Sequence, residues 1–105
     1  MNVQLCGPVS GRPRGESIFM FSFAKGIVSE LYPDAYVFNP VNEIKVTETH
    51  ENAMRECLRM LTGFTDMLVT LPGWETSKGS CLEVAVARAI GVEVVALDDM
   101  KAGGK

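Results

Sequence analysis

Short apolar runs alternate with segments of helical periodicity along most of this chain. Four runs have the length and apolar content of strands: residues 2–7, 35–40, 67–71 and 92–99. Three longer segments repeat apolar residues every three or four positions, as helices do: residues 16–31, 53–61 and 77–90. The run 67–71 shows almost no alternation, which is typical of a parallel strand covered on both faces. This order predicts an α/β fold of three layers, with a mostly parallel sheet of four to five strands and helices on both faces, flavodoxin-like or Rossmann-like.

Composition limits the class of protein. The 105 residues, of which 47% are hydrophobic, suffice for one core, so we expect a single domain over residues 1–105. The net charge of -3, without a basic cluster, argues against a nucleic-acid polymer as partner. No apolar run approaches the roughly 18 residues of a membrane span, and the first residues lack a signal-peptide pattern. We therefore expect a cytoplasmic protein with no membrane partner.

The cysteines and the single histidine do not form a familiar reactive pattern. Cys6, Cys57 and Cys81 show no CxxC spacing, which argues against a disulfide framework and against a zinc site. His50 lies at the polar start of the second helix and is expected to be solvated. Neither a Ser-His-Asp nor a Cys-His arrangement is predicted. If the protein is an enzyme, its chemistry depends on carboxylates.

The loops at the carboxyl ends of the strands are where a ligand binds in such a fold. The first of them, residues 7–17, contains three glycines and two arginines: Gly7, Gly11, Gly15, Arg12 and Arg14. Glycines let backbone N–H groups approach an anion, and a guanidinium matches phosphate geometry. The loop is neither a Walker A sequence nor a GxGxxG motif. It is therefore an anion-site candidate, with a simple turn as the alternative.

The segment 77–80 precedes or opens the third helix. Its free N–H groups and the positive end of the helix dipole favour an anion, and its serine hydroxyls add donors. Ser77 or Ser80 alternatively serves as a helix N-cap. The two roles are compatible, and the sequence favours both.

Glu83 lies one turn after Gly79, beside Ser80 and away from the apolar positions of this helix. Those apolar positions, expected to face the core, are Leu82, Ala85, Val86, Ala89 and Ile90. A carboxylate in the first turns of a helix is mildly stabilising through the dipole, which is the structural interpretation. The functional interpretation is a nucleophile or base at the strand ends, surrounded by small residues that leave room for a ligand.

Other candidates are less distinctive. Trp74, the only tryptophan, lies in a loop, where an indole stacks on a base or covers the core. Further carboxylates near the strand ends are Glu43, Glu75, Asp98 and Asp99, whereas Asp66 opens a strand at the opposite edge and is expected to be structural.

Four segments together resemble a known family: LCGPVSG, FNP, TDMLVTLPGWETSKGSCLE and VAVARAIGVEVVAL. They are similar to the small nucleoside 2-deoxyribosyltransferase-like proteins of bacteria and phages, which are related to the deoxynucleoside 5′-monophosphate N-glycosidases. The resemblance covers nearly all of residues 1–97. It implies cleavage or exchange of an N-glycosidic bond between a base and a (deoxy)ribose, without a metal or cofactor, in a homodimer.

The resemblance also implies roles for single residues. Glu83 matches the catalytic glutamate that attacks the anomeric carbon, and Ser77 and Gly79 match a segment that holds the 5′-phosphate. The first loop is implied to line the sugar and phosphate through Gly7, Val9, Ser10 and Gly11, with Arg12 close to a family arginine. Asn39 of the FNP motif and Trp74 are further substrate-binding candidates, and Asp98 or Glu43 is a candidate second acid.

Two positions differ from the family pattern. Gln4 stands where many relatives have a tyrosine, and Leu58 where the glycosidase branch has an aspartate. The leading hypothesis is an N-glycosidase or deoxyribosyltransferase. The alternatives are a non-catalytic module that binds a nucleotide or nucleotide-derived signal, favoured by Gln4 and Leu58, and a scaffold without a site.

Overall fold

The computed structural model describes residues 1–9 and 11–103, so the candidate Ser10 lies outside the described residues. The four strands are β1 (Asn2–Cys6), β2 (Tyr36–Phe38), β3 (Met67–Thr70) and β4 (Glu93–Ala96). The helices are α1 (Arg14–Leu31), α2 (Pro40–Glu43), α3 (His50–Gly63), α4 (Lys78–Ile90) and α5 (Leu97–Gly103), with a 3-10 turn at Trp74–Thr76. Within this part of the chain, no helix is long and apolar enough to cross a membrane.

The strands form one parallel sheet in the order β2-β1-β3-β4. Val3 of β1 pairs with Val37 on one side and with Met67 on the other. The predicted α/β fold with a parallel sheet of four strands and helices on both faces is confirmed. After β1 the chain turns to β2 and then crosses back to β3, so the connections diverge between β1 and β3. Such a switch point opens a crevice at the carboxyl edge of the sheet.

Alternate residues of β1 face different helical layers, because side chains alternate along a strand. Val3 and Leu5 belong to the core that β1 shares with α1, α2 and α5. Cys6 belongs to the second core, which β1 and β3 share with α3 and α4. Gln4 is also fully buried, and its hydrogen bonds reach α3 and α4. The sheet therefore places one uncharged polar side chain of β1 inside the second layer.

Helix α4 turns a different face to the sheet from the one that its apolar positions predicted. Its buried residues are Ser80, Glu83, Val84 and Ala87. Leu82 and Ile90 are instead 47% and 49% exposed, so the expected core-facing stripe was wrong. Small side chains at Ser80 and Ala87 allow close packing on the sheet, and the buried carboxyl group has a hydrogen-bond donor. The ends were predicted well: Ser77 is the N-cap, and Gly91, with φ +80°, ends the helix.

The end of the chain also differs from expectation. The predicted strand 92–99 stops at Ala96, and α5 begins at the next residue. Leu97 and Met100, three positions apart, lie on one face of α5 and are buried in the first core. Met100 thus extends the first core beyond the last strand.

The start of the first loop packs closely against the connection after β3. A Cβ atom added at Gly7 would lie 2.9 Å from the Cβ atom of Leu71, which is fixed to the backbone. We expect Gly7→Ala to lower the free energy of unfolding by about 2 kcal/mol, because overpacking forces the backbone to shift. Chemical denaturation measures this change.

The matched control for Gly7→Ala is Gly26→Ala. Gly26 lies within α1, and an added Cβ atom there meets nothing within 4 Å. This substitution should raise the free energy of unfolding by about 0.5–1 kcal/mol, since alanine favours helix more than glycine. Equal stability of the Gly7 variant and the wild type would contradict the close approach to Leu71.

Candidate active site

A cavity of about 320 Å³ opens at the carboxyl edge of the sheet, within the range of small-molecule sites. It lies beside the end of β1, between the segment that leads into α3 and the N-terminus of α4. The lining residues are Cys6, Gly7, Val9, Arg14, Pro40, Val41, Ile44, Lys45, Val46, Glu48, Thr49, His50, Ala53, Met54, Cys57, Ser77, Gly79, Ser80 and Glu83. The predicted site residues Glu83, Ser77 and Gly79 are thus brought together with Gly7 and Val9.

Glu83 is the carboxyl group at the inner end of this cavity. Only 5% of the residue is exposed, yet it lines the cavity. Burial raises the pKa of Glu83 from the ordinary 4.5 to about 7, because a low-dielectric surrounding disfavours the charged form. A hydrogen bond from Gln4 acts in the opposite direction and lowers the pKa. A pKa near neutrality allows the group both to accept and to release a proton.

Gln4 is the hydrogen-bond partner of Glu83. Its Nε2 donates to Glu83 Oε2 at 2.9 Å and to the backbone oxygen of Cys57 at 3.0 Å. Its Oε1 accepts from the Thr65 hydroxyl at 2.8 Å. In the sequence, Gln4 stands out only as a departure from a family pattern. The signal that points to its role is a polar side chain at an inward position of an otherwise apolar strand.

The N-terminus of α4 forms the adjacent wall. The Oγ atom of Ser77 accepts from the backbone N–H of Ser80 at 3.2 Å, which confirms the N-cap. A Cβ atom added at Gly79 would lie 2.8 Å from the Sδ atom of Met54, so α3 and α4 are closely packed here. This wall therefore presents backbone N–H groups, two serine side chains and the positive end of a 13-residue helix to the cavity.

The arginines of the first loop lie in different places. Arg12 forms an ion pair with Glu16 at 3.3 Å and lines a second, much smaller cavity. Arg14 instead lines the large cavity, and its Nη2 donates to the backbone oxygen of Val41 at 3.0 Å. The structure therefore brings Arg14, not Arg12, to the candidate site. Gly11 has φ +81° and is exposed, and it is not one of the residues that line the cavity.

Four other candidates lie outside the described cavity lining. Trp74 packs against the second core. Asn39 is buried at the end of β2, and its Oδ1 accepts from the N–H of Val41 at 3.1 Å, which caps α2. Glu43 accepts hydrogen bonds from the Tyr36 hydroxyl and from the backbone N–H of Asn39.

Asp98 is the fourth of these candidates. It is exposed and pairs with Lys101 at 3.2 Å, and it is not part of the cavity lining. Neither proposed second acid, Asp98 or Glu43, therefore meets Glu83. His50, expected to be a solvated residue, does line the cavity although it is exposed.

Two thiols lie close to the carboxyl group. Cys6 and Cys57 are buried and line the cavity. Burial, with the nearby Glu83, raises the pKa of Cys57 to about 12, and the same causes raise the pKa of the Cys6 thiol. Both thiols are therefore protonated at neutral pH and are poor nucleophiles. Among residues 1–9 and 11–103, no group of three or more His, Cys, Asp or Glu side chains is placed to hold a metal ion.

Comparison with known proteins gives one family. Neither a curated protein nor a solved structure matches the chain. The sequence pattern of a family described as a domain of unknown function, DUF4406, matches residues 1–96. This match covers β1 to β4, and with them the strands, loops and helix N-termini that form the cavity. The chain therefore belongs to the DUF4406 family.

Proposed function

We propose that the protein cleaves or exchanges the N-glycosidic bond of a (deoxy)nucleoside or its 5′-monophosphate, with Glu83 as the nucleophile. The observation that carries the proposal is the buried carboxyl group of Glu83, which lines a cavity of about 320 Å³ beside the N-terminus of α4. The resemblance to the nucleoside 2-deoxyribosyltransferase-like proteins, which assigns the same glutamate, supports it.

In the proposed reaction an ionised Glu83 oxygen forms a bond with the anomeric carbon of the sugar. The bond from that carbon to the base nitrogen breaks, and its electron pair leaves with the base, which takes up a proton from solvent water. Water or a second base then attacks the anomeric carbon and releases the carboxylate. The oxocarbenium-like transition states of both steps carry positive charge, which a carboxylate at close range stabilises.

The surroundings of Glu83 suit a phosphorylated sugar. Ser77, Gly79 and Arg14 supply hydroxyl, backbone N–H and guanidinium donors to the cavity, and each favours an anion. We therefore propose that the 5′-phosphate lies against the N-terminus of α4, and the base extends towards residues 44–50. The homodimer and the cytoplasmic location stay predictions.

The test of the proposed activity is a substrate panel. Purified protein is incubated with the four deoxynucleosides, the four ribonucleosides and their 5′-monophosphates, and free base is quantified by chromatography. Release of base from at least one compound is expected. A second set with an added free base distinguishes exchange from hydrolysis, because exchange forms a new nucleoside. No release from any compound would contradict the proposal.

A non-catalytic nucleotide-binding module is the second candidate. The observation that favours it is the placement of Glu43 and Asp98, because neither candidate second acid lies in the described cavity lining. Calorimetric titration of the same panel separates the candidates. Tight binding without release of base would support the module.

Ser77 offers a test of the proposed phosphate position. We expect Ser77→Ala to lower the free energy of unfolding by about 1 kcal/mol, because it removes the N-cap of α4. It should also raise KM for a 5′-monophosphate about tenfold, with a much smaller change for the nucleoside, since only the phosphate loses a donor. Steady-state kinetics with both substrates measures the difference.

The control for Ser77→Ala is Thr76→Ala. The Thr76 hydroxyl donates to the backbone oxygen of Gly73, and its side chain lies outside the described cavity lining. Its removal should leave the ratio of the two KM values unchanged. A Ser77→Ala protein with the wild-type ratio would contradict the assigned phosphate position.

A further inference from the structure

A buried chain of hydrogen bonds leads from Thr65 through Gln4 to Glu83. The Thr65 hydroxyl lies 2.8 Å from Gln4 Oε1 and 3.1 Å from the backbone oxygen of Met60. That backbone oxygen already accepts two N–H groups, from Phe64 and from Thr65 itself. A hydroxyl has one proton. The shorter contact and the satisfied Met60 oxygen therefore assign this proton to Gln4 Oε1.

The orientation of the Gln4 amide follows from its other partners. A backbone oxygen only accepts hydrogen bonds, so the group that faces the Cys57 oxygen has to be the Nε2 donor. With the amide reversed, its Oε1 would face the Cys57 oxygen at the same 3.0 Å, and two acceptors would stand opposite each other with no proton between them. The same Nε2 then donates to Glu83 Oε2. The fully buried Gln4 thus has a single satisfied orientation.

We propose that Gln4, held by Thr65, is a positioning residue that fixes Glu83 Oε2 as a hydrogen-bond acceptor and so presents Oε1 as the atom that bonds to the sugar. This inference rests on the proposed glycosidic reaction. Gln4 and Thr65 are buried and do not belong to the described cavity lining, so both act through Glu83 and not on the substrate. The arrangement follows the general logic in which a third group orients the reacting one.

The hydrogen bond also favours the ionised form of Glu83, because an amide N–H donates more strongly to a carboxylate than to a carboxylic acid. The Cys6 thiol from β1 and the Cys57 thiol from α3 are titratable groups whose pKa Glu83 raises, and both are neutral at pH 7. Charged or titratable side chains elsewhere in the cavity lining are Arg14, Lys45, Glu48 and His50. A substitution at Thr65 removes none of these groups. Its effect on Glu83 therefore comes from the Gln4 amide.

The test compares Thr65→Val, Thr65→Ser and Gln4→Leu with the wild type. Thr65→Val keeps the shape but removes the hydroxyl that holds the amide, and Thr65→Ser restores that hydroxyl. We expect kcat to fall about tenfold in Thr65→Val and about a hundredfold in Gln4→Leu, with KM nearly unchanged. In both variants the acidic limb of the pH–rate profile should move to higher pH. Thr65→Ser should return both kcat and the profile towards wild type.

Wild-type kcat and pH profile in a folded Thr65→Val protein would overturn the inference, as would a change confined to KM. The carboxyl titration of Glu83, followed by NMR with ¹³C-labelled glutamate, needs no activity. If the wild type releases no base, the glycosidic proposal fails, and a raised Glu83 pKa in Thr65→Val still confirms the orienting contact. An unchanged titration in Thr65→Val and in Gln4→Leu would contradict that contact even if the wild type is active.

Discussion

Glu83→Gln is expected to lower the rate of base release by about a thousandfold or more, while the protein stays folded. Glutamine has nearly the same shape as glutamate, and its amide oxygen is able to accept the hydrogen bond from Gln4 that Glu83 Oε2 accepts in the wild type. What is lost is the negative charge and the nucleophilic oxygen. The stabilisation of the oxocarbenium-like transition state and the covalent route disappear together.

The matched control is Glu75→Gln. Glu75 lies in the 3-10 turn before α4 and is exposed, outside the described cavity lining. The Glu75→Gln substitution removes the same charge from the same region of the chain. A general electrostatic effect would therefore lower the rate of base release in both variants. Chromatographic measurement of free base should give a wild-type rate for Glu75→Gln. A Glu83→Gln rate within tenfold of wild type would contradict the assigned nucleophile.

The second large effect concerns stability and its dependence on pH. The pKa of Glu83 is about 7 in the folded protein and 4.5 in its ordinary, unfolded surroundings. Between these values the folded state holds a proton that the unfolded state has released, so the free energy of unfolding falls as pH rises. The favourable contribution of Glu83 to the free energy of unfolding is complete below pH 4.5, and it is lost as the pH rises through 7. The total loss amounts to about 3 kcal/mol.

Glu83→Gln removes this dependence, since glutamine cannot release a proton. We expect the variant to match the wild type in stability at pH 4 and to exceed it by about 3 kcal/mol at pH 8. Urea unfolding of both proteins across this range measures the difference, and other titrating groups cancel because both proteins have them. A difference that stays constant with pH would contradict the buried, raised-pKa carboxyl group.

Much of the fold was predictable because local signals agree with each other. Strand β3 is an unbroken apolar run, and strands alternate with helices along the chain. Together these two signals leave few topologies other than a parallel sheet. Helix α4 begins after Ser77 and ends before Gly91, as the chemistry of these two residues predicts. The described cavity at the carboxyl edge follows from the strand order.

What the sequence did not predict depends on contacts between distant segments. The rotation of α4, which buries Glu83 and exposes Leu82, requires that Gln4 of β1 donate to the carboxyl group across 79 positions of the chain. An apolar stripe counted along one helix contains no information about such a partner. The same holds for Arg14, whose place depends on the backbone oxygen of Val41.

The most direct test of the central claim, that Glu83 bonds to the sugar, is mass spectrometry with a 2′-fluoro-substituted form of the substrate that the panel identifies. Fluorine next to the anomeric carbon disfavours the oxocarbenium-like transition state and slows both steps, so a covalent intermediate accumulates. We predict stoichiometric release of base and a gain in protein mass equal to the fluorinated sugar group, located by digestion to residues 79–88 and absent from Glu83→Gln. Release of base with unchanged protein mass, or a modification outside residues 79–88, would contradict the claim.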